Sequence, residues 1–529
     1  MEDPAPWRAR LIRMAPRMWG VLAFFALLCL LLSMQRRVSP QLDFADDAAY
    51  LDLVSARTWS SVGHPGLGPA TPIPATSGVL WQALLFMGLK TSLPPLAAPC
   101  ALAALLGVVL LLKTWRIAGL MNVGRWAVAA VLLVAVASSL PMDVIGGRSH
   151  VLGAVLTLLM VQGHLETAPR DRWPMPLSSA CWAGLAVLLH VELLVIWLAL
   201  GLHAIATGHL RHGNGAGLVF PTLRLLSGLI IVGLMLTPVL AWNMKTLGVP
   251  WPRFPDAPLS LDIWATQAPG VAFARTLDQS FSVLIPCYLR AFSVPVLAGF
   301  VPVIFLFIGL AATLEKARLE PFQILGTVGF ALLLVPLLYA LIYPYVGWSA
   351  AAPVFSALQP VWAVLIVAGV ARTADALCRY VEKSGQRDMA WLSPGWASAV
   401  LLTLLIALGC LLNLHRGGRH SRLLAVEKAA RLQLLDELGP TRPDEYLASD
   451  RVGWLAYVRA GRYLDLTGAR YPLILSIRAT DGWQPAQDAA YLREQKVTAV
   501  ISWTQDYGYL ATHLGCASDT PLPRLCRVN

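Results

Sequence analysis

Charged residues are scarce in this chain: Asp, Glu, Lys and Arg make up 13% of its 529 residues, while 57% are hydrophobic. Soluble domains carry roughly 25% charged residues, so an ordinary soluble enzyme is excluded for most of the length. The scarcity is uneven. Apolar runs of about 17–25 residues, long enough to cross about 30 Å of hydrocarbon, recur from Met18 to Leu412. After Leu414 charge returns and no such run follows. Acidic residues are fewer than basic ones, 30 against 41, leaving a net charge of +11. The Lys and Arg sit mostly in short segments between apolar runs, where they orient helices and meet anionic lipid; no nucleic-acid partner is needed to explain them. Cysteine is sparse too. Six of the eight are scattered in or beside apolar segments without metal-ligand spacing and read as small core residues. Cys516 and Cys526 lie ten positions apart in the tail, and can form a disulfide if the tail is outside the cell. A small-residue cleavage site is missing after the first apolar run, where Gln35-Arg36-Arg37 stands instead. That run therefore reads as an uncleaved first helix with Arg8, Arg10, Arg13 and Arg17 in the cytoplasm.

The apolar segments are 18–34, 78–90, 94–113, 124–142, 150–166, 178–206, 220–241, 291–312, 322–343, 352–371 and 394–413. Segment 78–90 is about 20 Å long as a helix, too short to span alone. Segment 178–206 exceeds one crossing and carries His190 and Glu192 in its middle. Placing the basic loops inside requires that 78–113 make one net crossing and that 178–206 break near His190. The fold class that follows is an all-α polytopic membrane protein of about 11 transmembrane helices with a small C-terminal α/β extracytoplasmic domain. Residues 1–17 form a cytoplasmic N-terminus, 18–413 the transmembrane module with its first outer loop at 35–77, and 414–529 the outer domain. In that tail, 420–438 reads as an amphipathic basic helix, 446–449, 463–467 and 497–503 as strands, and 485–495 as a helix.

This orientation gathers the polar residues on the outer side. The first loop holds Asp43, Asp46, Asp47 and Asp52 within ten positions. Adjacent carboxylates repel, which raises a pKa and makes a usable base; the same residues also read as a solvated loop face with a helix cap. Gly and Pro punctuation from Gly63 to Pro74 marks a compact turn. The outer side also receives the Asp143–His150 connection, the His190/Glu192 turn, the 242–290 connection and the Tyr343–Ser349 loop.

The order Asp46-Asp47-Ala, Arg57, Gly63-His64-Pro65-Gly66-Leu67 and Ala75-Thr76-Ser77-Gly78-Val79-Leu80-Trp81 resembles the GT-C superfamily of membrane glycosyltransferases. It is most similar to the bacterial branch that includes the mycobacterial terminal arabinofuranosyltransferases, alongside mannosyltransferase-like members. Leu189-His190-Val191-Glu192 stands where that branch often has an Arg-Pro-Glu turn, and Trp242–Pro252 is similar to its outer Asn…Gly…Pro segment. Ser449-Asp450 and Leu464-Asp465 look like two strand motifs of its external domain. Two positions depart from the pattern: Arg148 replaces a Glu, and Trp348–Pro353 lacks an Arg-Tyr pair.

The resemblance implies transfer of a sugar from a polyprenyl-phosphate-linked donor to a glycan or lipid acceptor outside a bacterial inner membrane. Asp46 or Asp47 would be the base. Cations must take the leaving phosphate's charge, and the outer candidates are Arg148, Lys245, Arg253 and Arg290. Asp43, Arg57, His64, Thr76, Ser77, Trp81, His190, Glu192 and Asn243 would bind substrate. For the cations the alternative is headgroup contact or snorkelling. Trp454, Tyr457, Trp483 and Trp503 could stack on sugars or simply pack a core. No cofactor is expected, although Asp43, Asp46 and Asp47 offer oxygen ligands to a divalent cation. The competing functions are a transporter, against which stands the absence of paired inverted segments, and a catalytically inactive relative in envelope assembly.

Overall fold

The computed structural model describes residues 6–39, 42–68, 71–72, 78–121, 123–167, 177–212, 216–247, 302–311, 348–383, 393–442, 445–459, 461–466, 485–503, 513–514 and 523–528. Helix α1 (Pro6–Arg36) leads to α2 (Asp47–Val62), a short hairpin of β1 (Gly66–Gly68) and β2 (Thr71–Pro72), then α3 (Val79–Leu89) and α4 (Ala97–Leu120). Next come α5 (Ala127–Leu132), α6 (Leu140–Ile145), α7 (His150–Thr167), α8 (Leu177–Leu189), α9 (Leu194–His212) and α10 (Ala216–Leu247). Helix α11 (Pro302–Ala311), α12 (Trp348–Lys383) and α13 (Pro394–Leu438) complete the described bundle. Five described helices are long and apolar enough to cross a membrane: Met18–Arg36, Ala97–Leu120, Val219–Thr246, Val354–Lys383 and Pro394–Leu438. The apolar segment 322–343 lies outside the described residues.

The segment spanning 178–206 breaks at His190, whose backbone is extended (φ −149°, ψ 115°) between α8 and a single 3-10 turn at Val191–Leu193. The short segment 78–90 is an 11-residue helix separate from α4. The run 124–142 differs from a plain spanning helix. It widens into a π-helical turn at Leu133–Ala137 and breaks at Ser138 before α6. A broken helix inside an apolar bundle leaves carbonyls to satisfy, and Asn413 supplies the donors. Its side-chain amide is wholly buried and donates to the carbonyls of Val136 at 2.7 Å and Ser138 at 2.9 Å.

The expected division at residue 414 falls in the middle of a helix. Helix α13 runs unbroken for 45 residues, about 68 Å, from Ser393, which caps it by accepting from Trp396 N, to Gly439. Gly417 faces Leu31 of α1, whose side chain a Cβ there would meet at 2.3 Å, and Gly418 lies beside Met34 with room to spare. Helix α12 occupies the centre; 83% of its spanning window is buried.

The tail places β3 (Tyr446–Ser449), α14 (Val452–Val458), β4 (Arg462–Asp465), α15 (Pro485–Glu494), β5 (Ala499–Ser502) and β6 (Arg524–Arg527) in chain order. The sheet order is β4-β3-β5-β6, with β3 parallel to β4 and β5, and β6 antiparallel to β5. This sheet does not stand apart. Phe44, Tyr50, Val54 and Leu67 of the first loop share a buried core with Leu434 and Leu438 of α13 and with Leu447, Trp454, Tyr463 and Ile501 of the tail. Cys526 is disulfide-bonded; its expected partner Cys516 lies outside the described residues.

Candidate active site

Asp46 and Asp47 begin one helix and face different neighbours. Asp46 is the N-cap of α2 (φ −93°, ψ 123°) and accepts from Ala48 N at 3.1 Å through Oδ1. Its other oxygen, Oδ2, is 3.0 Å from Arg148 Nε. Asp47 turns to the tail, accepting from Gly453 N and Trp454 N, each at 2.8 Å, at the start of α14. Burial pushes the Asp47 carboxyl up to about 6 against the pull of those two donors; the charges of Asp465 and Asp46 contribute less. The raised pKa foreseen for the pair therefore arises, but desolvation is its main cause and repulsion a minor one.

Arg148 follows a crowded left-handed position that suits glycine: Gly147 has φ +63°, and a Cβ there would meet Pro99 at 2.9 Å. The guanidinium reaches back to Asp143, with Nη1 3.6 Å from Oδ1, while Arg148 N donates to the Asp143 carbonyl at 2.9 Å. The Asp143 side chain is 5% exposed. It accepts from Ser139 Oγ at 2.8 Å, lies 3.4 Å from His150 Nδ1, and Ser139 Oγ in turn meets Gln359 Oε1 of α12 at 3.0 Å. Burial disfavours the charged Asp143, yet the hydrogen bonds and charges of His150, Arg148 and Ser139 hold its carboxyl below the ordinary range.

The broken helix at 190 closes the other wall. His190 Nε2 and Ser149 Oγ share a 2.9 Å hydrogen bond, and the His190 ring lies 5.7 Å from that of His150. Gly78 N donates to the Leu189 carbonyl at 2.7 Å, which ties the start of α3 to this turn. Glu192 couples electrostatically to His150, and its Oε2 is buried without a hydrogen-bond partner among the described residues. Asp46, Arg148, His190 and Glu192 thus gather on one rim of the bundle, joined by Asp143, Ser149 and His150. His420 of α13 lies within electrostatic reach of Arg148 and Asp46.

Other candidates are placed elsewhere. Asp43 is a strut: it accepts from Phe44 N at 2.9 Å, Arg431 Nη1 at 3.0 Å and the Tyr50 hydroxyl. Arg57 donates to the carbonyls of Ala456 at 3.0 Å and Tyr457 at 3.2 Å, capping the C-terminal end of α14. Trp81 is fully buried in the bundle core. His64 stacks on Trp242 at 6.0 Å, beside the buried Asn243, and Lys245 is exposed at the end of α10. Trp454, Tyr457 and Trp503 pack the shared outer core. Thr76, Ser77, Arg253, Arg290 and Trp483 lie outside the described residues.

No protein-family model and no curated protein matches the chain. Solved structures do. The archaeal oligosaccharyltransferase AglB from Archaeoglobus fulgidus, in complex with an inhibitory peptide and a dolichol-phosphate, superposes with a TM-score of 0.50 at 15% identity, over 96% of this chain and 74% of its own. ArnT from Cupriavidus metallidurans in the apo state superposes with a TM-score of 0.52 at 14% identity, over 94% of this chain and 95% of its own. The chain shares its overall fold with these two solved structures. At these identities the likeness carries the fold and leaves the chemistry to be argued from residues.

Asp143 and His150 belong to the cluster around Arg148, and sequence reasoning did not single them out. Their signal was an ionisable residue at the edge of an apolar run. The three carboxylates offered for a metal do not fit one: Asp43 is committed to Arg431 and Tyr50, Asp47 to the α14 amides, and only Asp46 faces the rim. Among the described residues no group of three His, Cys, Asp or Glu side chains could hold a metal ion.

Proposed function

We propose that the protein is a glycosyltransferase moving a sugar from a polyprenyl-phosphate-linked donor to a hydroxyl of an envelope glycan or lipid. The observation that carries this is the Asp46–Arg148–Asp143 array on the rim of a GT-C fold. The acceptor oxygen bonds to the anomeric carbon as the bond from that carbon to the phosphate oxygen breaks. Asp46 takes the hydroxyl proton, and polyprenyl phosphate leaves as an anion held by Arg148. No metal enters the step. Asp47 is assigned to docking the tail, since both its oxygens are engaged by backbone amides. His190 and Glu192 line the sugar side of the rim, and Lys245 is kept as a headgroup contact.

The oligosaccharyltransferase neighbour was solved with a dolichol-phosphate and a peptide, which supports a lipid-linked donor and a separate acceptor here. The finer reading keeps the arabinofuranosyl- or mannosyltransferase-like branch, about 11 crossings, and an outer α/β domain. The N-terminus is cytoplasmic and the rim extracytoplasmic, in a bacterial plasma membrane. The test is donor turnover by the full-length protein in detergent. Wild type should consume a polyprenyl-phosphate sugar, with or without chelator. Asp46→Asn should insert normally and lose at least about a hundredfold in rate, the size of a typical general-base contribution. Full activity in Asp46→Asn removes the mechanism; no turnover of any donor in a broad panel removes the function.

A further inference from the structure

The two carboxylates around Arg148 are not equivalent. Asp143 is a fixed partner: its side chain is 5% exposed, Ser139 Oγ and His150 Nδ1 hold it, and the Arg148 backbone is bonded to it. Asp46 is different. Its side chain is 35% exposed, that of Arg148 is 41% exposed, and Asp46 is kept in place independently of Arg148 by its cap bond to Ala48 N. The pair is partly exposed, and the buried Arg148 Nε makes no aligned hydrogen bond among the described residues, so the contact with Asp46 is a weak one. A phosphate brings more acceptor oxygens than a carboxylate and suits the guanidinium fork. While Asp46 is paired with Arg148, its Oδ2 faces the guanidinium and its Oδ1 accepts from Ala48 N, so each oxygen already has a donor before any acceptor hydroxyl arrives.

We infer that the donor's phosphate and Asp46 compete for Arg148, so that phosphate binding displaces Asp46 and frees it as the base. Resting on the glycosyltransferase reading, this deepens it: the base is masked until the lipid-linked phosphate occupies Arg148. Acceptor bound alone is not activated. Asp143 stays behind throughout, holding the guanidinium aimed at the rim.

Removing the competitor must therefore strengthen phosphate binding while it abolishes turnover. Asp46→Asn suits the test because Asn is an equally good N-cap and loses only the charge. Asp46→Ser, another good cap, is the second variant and guards against an effect peculiar to Asn. Undecaprenyl phosphate and, separately, inorganic phosphate are titrated into the full-length protein in detergent. Both Asp46 variants should bind about three- to fivefold tighter than wild type, the factor expected for losing a partly exposed ion pair. Arg148→Gln should bind at least about tenfold more weakly. A gain with both ligands assigns the competition to the phosphate anion itself, and a gain with the lipid alone assigns it to the membrane-anchored headgroup; either supports the exchange. Unchanged or weaker binding in both Asp46 variants overturns it. Equal binding by wild type and Arg148→Gln would instead overturn the assignment of Arg148 to phosphate, on which the exchange depends. In kinetics the Asp46 variants should lose kcat without a rise in the donor KM, a split that a collapsed site would not give.

Discussion

At the scale of single residues, the neighbouring carboxylates Asp46 and Asp47 have opposite environments because one caps a helix and the other starts it. Asp47 titrates near 6 when docked on α14, against an ordinary value of 3.8. The docked state therefore binds a proton that the undocked state has already released. Its contribution to docking is fully present below the ordinary carboxylate pKa and is lost as pH rises through about 6. At roughly 1.4 kcal/mol per pH unit, leaving Asp47 charged at neutral pH costs about 3 kcal/mol. Protease susceptibility of the tail, measured from pH 7.5 down to pH 5, should fall in wild type and change less in Asp47→Asn; parallel profiles would refute the assignment. That one of the pair could face a substrate was legible from its place after the first apolar run. Which one was not, because the answer depends on where α2 begins, and sequence-based helix boundaries are uncertain by a residue or two. Arg148 was legible as an outer cation but not as the partner of Asp46, about a hundred positions away.

Among elements, the seven-residue α14 is held at both ends by α2. Asp47 meets its N-terminal amides and Arg57 its C-terminal carbonyls, each with the sign the helix dipole favours. Between these clamps the two helices touch backbone to backbone. A Cβ on Gly453 would lie 2.6 Å from the Asp47 carbonyl oxygen and 2.7 Å from Leu51 N. Gly453→Ala should therefore push α14 off α2 at a cost of about 1–3 kcal/mol, seen as faster proteolysis of the tail with the bundle intact. A tail as protected as wild type would sink the clamp. In the bundle, Asn413 plays the matching part for the π-turn of the 124–142 segment. Asn413→Ala leaves the Val136 and Ser138 carbonyls unsatisfied in an apolar site, a loss of about 1–3 kcal/mol for each. The variant should melt at lower temperature in detergent, and an unchanged Tm would show that these bonds are not needed. The break at His190 was readable from an overlong apolar run with polar residues in its middle. The π-turn was not, since nothing in Leu-Val-Ala-Val-Ala departs from an ordinary spanning helix, and its compensating Asn413 comes from a distant segment.

For the whole molecule, the first loop and the tail form one folded body, because α14 sits on α2, Arg431 of α13 bonds Asp43, and their apolar residues share a core. Arg116, near the end of α4, pairs with Glu166 near the end of α7 at 2.9 Å. The positive-inside rule and the fold together predict a sidedness that can be tested. Charge bias puts Arg116 inside, and the shared core forces Ser60 of α2 and Asp436 of α13, both exposed, onto one common face. Cysteines introduced at Ser60 and Asp436 should both react with an impermeant maleimide applied to intact cells, above the background of the native thiols. A cysteine at Arg116 should react only after permeabilisation. If Asp436 and Arg116 label from the same side, the bundle crosses the membrane an even number of times between Arg116 and Asp436. If that shared side is the cytoplasm, the rim carrying Asp46 and Arg148 is not extracytoplasmic, and a polyprenyl-linked donor would have to be presented from the cytoplasmic leaflet.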